Sequence, residues 1–172
     1  MPITSPNVLA NGNIFPSTAV MPDTTVAGGN NVVQATANAR CLGIAYEGSR
    51  EAPIPSVTTP YAAQQGDAIK IYGDGDECLA LLGGSVAVGD FLVASGPVSG
   101  LSLTQVYFDS VAFTLPTTMT GLLIKIGTEQ NASGSSISGG VQNVVARALE
   151  SGSAGDFRRV QVTIFQTTVS IS

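Results

Sequence analysis

Residues Ala68-Ile-Lys-Ile-Tyr-Gly-Asp-Gly-Asp-Glu-Cys-Leu-Ala-Leu-Leu82 decide the fold class. Ala68–Tyr72 alternates, with Ile69 and Ile71 on one side. Gly73-Asp-Gly-Asp76 is turn chemistry, and Glu77–Leu82 is a second apolar run. A strand, an Asp-Gly turn and a returning strand predict a β-hairpin. The same signals recur downstream. Val86-Ala-Val-Gly-Asp90 leads into Phe91-Leu-Val-Ala94, and Ser95–Gly100 turns again. Val111–Leu115 and Leu122–Ile126 are further strand candidates, and Thr128–Gly140 is a Ser- and Gly-rich loop. Val141–Ala148 reads as a strand or one short helix. Val160-Gln-Val-Thr-Ile164 has period-2 alternation, which predicts Val160, Val162 and Ile164 inward and Gln161 and Thr163 outward. Thr167–Ile171 extends an edge or reaches a neighbour. Upstream, Ala39–Tyr46 is a short strand and 48–60 a proline-punctuated loop.

No segment sustains a 3.6-residue period over twelve residues, and no repeat of fixed period emerges. The chain has 20 Gly and 9 Pro, which suits strand ends and tight turns. The expected class is all-β: a compact antiparallel β-barrel or β-sandwich with an extended N-terminal arm. The arm is 1–31, with four prolines and one charged side chain, Asp23. The β-rich domain is 32–172, with loops at 48–60 and 101–140. Proline favours extension, and so uncharged a segment needs a surface to lie on. That surface is the chain's own domain or, the preferred reading, a partner's. Ile3, Val8, Leu9, Ile14 and Phe15 are the expected partner-binding residues, serving attachment more than the fold of 32–172.

Composition removes several classes of function. The 172 residues include 7 Lys+Arg, 12 Asp+Glu and no His, for a net charge of −5. Without His there is no Ser-His-Asp triad, no Cys-His pair and no imidazole metal ligand. Seven basic residues give no surface that neutralises a run of phosphates or docks on anionic lipid, so neither nucleic acid nor membrane is an expected partner. No apolar run approaches a membrane span. Met1-Pro-Ile-Thr-Ser-Pro6 lacks the basic and apolar regions of a secretory signal, so synthesis in a cytoplasm is expected.

The local motifs carry little chemistry. Asp74, Asp76 and Glu77 form the one acidic cluster, but they lack calcium-loop spacing and sit where a turn wants Asp and Gly. Ser151-Gly-Ser-Ala-Gly155 resembles a nucleophile elbow loosely, without any His to serve it. Gly73-Asp-Gly75 lacks the third glycine of a dinucleotide fingerprint. Asn131-Ala-Ser133 is a glycosylation sequon that means little without a secretory route. Arg158-Arg159 reads as solvated residues at a strand start, or as an anchor for an acidic partner. Cys41 and Cys78 are buried free thiols or a bridge between adjacent strands. No catalytic residue, metal or cofactor is expected.

Several pieces resemble the decoration (cement) proteins of tailed-bacteriophage capsids. Gly127 and Val144–Ile164 resemble that family's closing segment: a strand ending in Ala-Leu-Glu, a small-residue turn and a final alternating strand. Arg40-Cys-Leu-Gly-Ile-Ala45 resembles its first strand. Gly66-Asp-Ala-Ile-Lys-Ile-Tyr-Gly73 and Val88-Gly-Asp-Phe-Leu-Val-Ala94 resemble its Gly-Asp steps into strands. The resemblance spans 32–100 and 122–165, while the loop at 48–60 and the stretch 101–140 are longer than the family's pattern. It implies a structural virion protein, not an enzyme, on the outer capsid surface, made in the host bacterial cytoplasm. It would bind and stabilise the major capsid protein lattice as a homotrimer, matching the three-fold positions of a shell. The other expected class is a receptor- or glycan-binding β-sandwich module of a phage tail or surface structure.

Overall fold

The computed structural model describes residues 8–27, 30–47, 61–98, 119–127 and 140–169. Ile3, the loop at 48–60, Val111–Leu115, most of 101–140 and the sequon lie outside the described residues. The chain is all-β, with ten strands in two five-stranded sheets among the described residues.

The first sheet contains β1 (Leu9–Ala10), β2 (Ala19–Pro22), β3 (Asn31–Gln34), β4 (Gly43–Ala45) and β5 (Ile71–Tyr72), in the order β1-β3-β2-β4-β5. All its pairs are antiparallel except β1 with β3, which is parallel. The sheet curls until its margins meet. Leu9 bridges Ala68 and Ile14 bridges Ala63, so the segment leading into β5 bonds back to β1 and its neighbourhood. Ala10 N donates to Asp67 O at 2.9 Å, and Ile69 N to Val8 O at 3.1 Å. The curl encloses Ala10, Ile14, Val20, Val32, Ala45, Ala63, Ile69 and Ile71.

The second sheet contains β6 (Glu77–Leu81), β7 (Phe91–Ala94), β8 (Leu123–Lys125), β9 (Gly140–Ala148) and β10 (Phe157–Val169), in the order β6-β10-β9-β7-β8. The main core draws on both sheets, joining Ala19 and Ile44 to Leu92, Leu123, Val145, Ala146, Val160 and Val162. A third cluster gathers Phe15, Leu81, Met119 and Leu122, with Tyr61 tilted against Phe15 at 4.9 Å.

One turn recurs four times, at Gln64-Gln-Gly-Asp67, Gly73-Asp-Gly-Asp76, Ala87-Val-Gly-Asp90 and Ser153-Ala-Gly-Asp156. In each, the Asp N–H donates to the first residue's carbonyl, and that residue's N–H donates to the Asp carboxylate at 2.8–3.0 Å. The third residue is always Gly, with φ between 87° and 90°, the left-handed position that a type II turn demands. The turns at 73–76, 87–90 and 153–156 feed directly into β6, β7 and β10.

Three expectations differ from the structure. The turn at 73–76 is real, but β5 and β6 belong to different sheets. The backbone crosses from one layer to the other there, so no hairpin forms. Val160 and Val162 face the core, whereas Ile164 is 38% exposed. The register between β9 and β10 shifts between Val162 and Phe165. That bulge ends the inward alternation one residue pair early. Thirdly, residues 8–27 are not an arm standing off the domain. They are extended, as proline predicts, but they supply β1 and β2 to the first sheet. Their apolar side chains gain more by closing the curl than by facing water.

Candidate interaction surface

The ionisable groups singled out in the sequence are largely occupied by the fold. Asp74 Oδ1 accepts from Ile164 N at 2.9 Å and so steadies the β10 bulge. Asp76 closes its own turn. Arg158 pairs with Asp156 at 2.9 Å, and Arg159 with Glu150 at 2.7 Å. Arg159 thereby holds the Glu150 carboxyl below the usual carboxylate range. Ser151 offers its carbonyl oxygen to Arg158 Nε at 2.9 Å. Among the described residues no group of three His, Cys, Asp or Glu could hold a metal ion.

Cys41 and Cys78 are free and buried in the main core. Burial pushes both thiols up to about 12, with Glu47 and Asp76 adding to the effect at Cys78. Both stay protonated at neutral pH, which suits packing rather than nucleophilic chemistry.

The five residues expected to meet a partner are placed unequally. Ile3 lies outside the described residues. Ile14 is buried inside the curled sheet, and Phe15 in the third cluster against Tyr61. Val8 packs half-buried against the first of these, and Leu9 is 39% exposed on β1. The structure therefore does not bring them together as one outward patch. Ile14 and Phe15 serve the chain's own core.

The outward apolar surface lies on the second sheet. Register aligns Phe91 on β7, Arg147 on β9, Gln161 on β10 and Glu77 on β6 in one cross-strand row. Phe91, Arg147 and Glu77 are exposed and Gln161 is half-buried. Directly opposed residues share a sheet face, so all four stand on one side. Phe165 reaches across β9 to Phe91, edge to face, with ring centroids 5.2 Å apart. Both rings are more than a third exposed, and Val88 in the turn before β7 is 67% exposed. The Arg147 guanidinium lies beside that turn, where a Cβ on Gly89 would sit 3.6 Å from Nη2. Aromatic rings around an arginine are the composition that protein interfaces favour.

Sequence reasoning missed this row. Arg147 stands between Ala146 and Ala148, both inward, so alternation alone turns it outward. Phe91 was legible in the same way, one place before buried Leu92. Phe165 was not, because the bulge that turns it outward leaves no mark in the alternation.

A second exposed corner lies on the first sheet. Lys70 Nζ sits 4.6 Å from the Tyr46 ring centroid and 5.4 Å from that of Tyr72. The two rings are 6.0 Å apart. Burial, then the neighbouring Glu47 carboxylate, pushes the Tyr72 hydroxyl well above the ordinary phenol range. Comparison of the chain with protein-family models, curated proteins and solved structures finds no match.

Proposed function

We propose that this chain is a structural virion protein that decorates the outer surface of a phage capsid and stabilises the major capsid protein lattice. The carrying observation is the exposed Phe91–Phe165 pair set around Arg147 on a continuous sheet. A decoration protein needs a rigid scaffold that presents an adhesive face. It needs neither a reacting group nor a cofactor. The two-layer β core supplies the scaffold, and three of the four Gly-Asp turns fix where β6, β7 and β10 begin. Binding only to the assembled shell stabilises that shell by mass action. Many weak contacts repeated over a lattice add up to firm attachment. The sequence resemblance to cement proteins agrees with this reading.

The glycan-binding alternative has one observation of its own, the exposed Tyr46 ring beside Lys70 and Tyr72. Sugars stack on exposed aromatic faces with polar groups nearby, so this corner is where such a module would bind.

The two readings separate in a binding experiment on purified undecorated shells. Decoration predicts saturable co-sedimentation of the protein with shells, weakened by Phe91→Ser and unchanged by Tyr46→Ser. Binding that depends on Tyr46 and is competed by free sugar favours the alternative. No sedimentation with shells overturns decoration.

A further inference from the structure

We propose that the outer face of the second sheet is also where two copies of this chain meet, with Arg147 of each copy set against Glu77 of the other. The observation is a charge asymmetry along one row. Phe91, Arg147, Gln161 and Glu77 lie on four adjacent strands in the order β7, β9, β10 and β6. The cation and the anion flank Gln161, one strand to either side. Strands are spaced about 4.8 Å apart, so the two backbone positions are equidistant from the β10 axis. A two-fold axis along β10 exchanges the β9 and β6 sides of the row when two such faces are laid together. Arg147 of one copy then faces Glu77 of the second, and the two Gln161 amides meet near the axis. Phe165 is rooted on β10 but its ring reaches over β9 toward Phe91, so it stands on the Arg147 side of the axis and meets the β6 side of the second copy.

The two charges are available for this. Among the described residues neither Arg147 nor Glu77 makes an ion pair; Arg159, on the same face of β10, is held by Glu150 and feels Glu77 only through space. Arg147 leans toward Gly89, away from the β6 side where Glu77 stands. Unlike charges at the two ends of a row pair only through a second copy turned about the strand direction. The reversed arrangement sets like against like. An isologous contact of this kind closes on itself and leaves no open end. It differs from the three-fold set anticipated from shell symmetry. The contact uses the face proposed for shell attachment, so a copy held in the dimer exchanges its partner for the shell on binding; a chain that pairs in solution yet ignores shells loses the proposed function and keeps this contact.

Charge reversal tests it. Sedimentation equilibrium over a concentration series reads the association of the full chain, of Arg147→Glu, of Glu77→Arg and of the double variant. Thermal melting of each variant confirms its fold, since both positions are exposed. The wild type is expected to form dimers. Each single reversal is expected to weaken dimerisation by about tenfold or more, as close interfacial charge pairs do. The double variant is expected to regain most of the loss. Phe165→Ser is expected to weaken the dimer without affecting that rescue. A wild type that stays monomeric overturns the proposal. So does a trimer indifferent to the reversals, or a double variant no better than the singles.

Discussion

Gly43 shows how tightly single residues are constrained. A Cβ built there would stand 1.9 Å from the Tyr72 carbonyl oxygen and 2.9 Å from an Ile71 methyl. The β4–β5 pair would have to part, and with it one wall of the curled sheet. Gly43→Ala is expected to cost roughly 2–4 kcal/mol, read as a lowered midpoint in urea melts. An unchanged midpoint would show that β5 moves aside freely. Gln142 behaves in the opposite sense. Its side chain is fully buried, and both amide atoms lack a hydrogen-bond partner among the described residues. Replacing an unsatisfied buried polar group with an apolar one of similar volume removes a desolvation cost. Gln142→Met is expected to stabilise by about 1–2 kcal/mol. Destabilisation in the same melts would mean that the amide is doing structural duty. Neither residue was conspicuous in the sequence. Gly43 reads as an ordinary strand glycine until Tyr72 is found against it, and Gln142 reads as an outward polar residue.

Elements were more legible than their partners. Periodicity located β4 through β8 and β10, because apolar alternation against turn residues is a local signal, and left β9 open between a strand and a short helix. Sheet membership is not local, which is why 73–76 looked like a hairpin and 1–31 like an arm. The four Gly-Asp turns are visible one by one, yet their irregular spacing hid the shared device. At Asp90 that device bears on acid stability. The Ala87 N–H, with Lys125 beside it, holds the Asp90 carboxyl below the usual range. The Thr25 hydroxyl, Asn11 and the Thr25 N–H do the same for Asp23, and Arg159 for Glu150. Folded values below the unfolded ones mean stability that is present above the ordinary carboxylate range and lost as pH falls through the folded values. With no histidine in the chain, the melting temperature is expected to stay flat from about pH 8 to 5 and to drop below about pH 4. A steep change between pH 6 and 8 in thermal scans would contradict this. At the N-terminal end, removing residues 1–31 deletes β1 and β2 and uncovers Ile44, Ile69 and Ile71. The truncated chain is expected to lose its cooperative melting transition. A transition like that of the full chain would return residues 8–27 to the status of a dispensable arm.

For the molecule as a whole, the sequence conveyed the class and the two sheets settled the layout. A curled sheet and a flatter one share a core, and the aromatic–arginine row occupies the outer side of the second. That row carries the functional proposal, and it became visible only when β6, β7, β9 and β10 were placed side by side. In the proposed function this face brings the protein onto a capsid shell in many copies. Symmetry-resolved electron imaging of shells incubated with the full chain tests it most directly. Density is expected at regular positions over the outer shell surface, with the Phe91–Phe165 face buried against the lattice or against a neighbouring copy. Bare shells, or density confined to a tail or a single vertex, would contradict it.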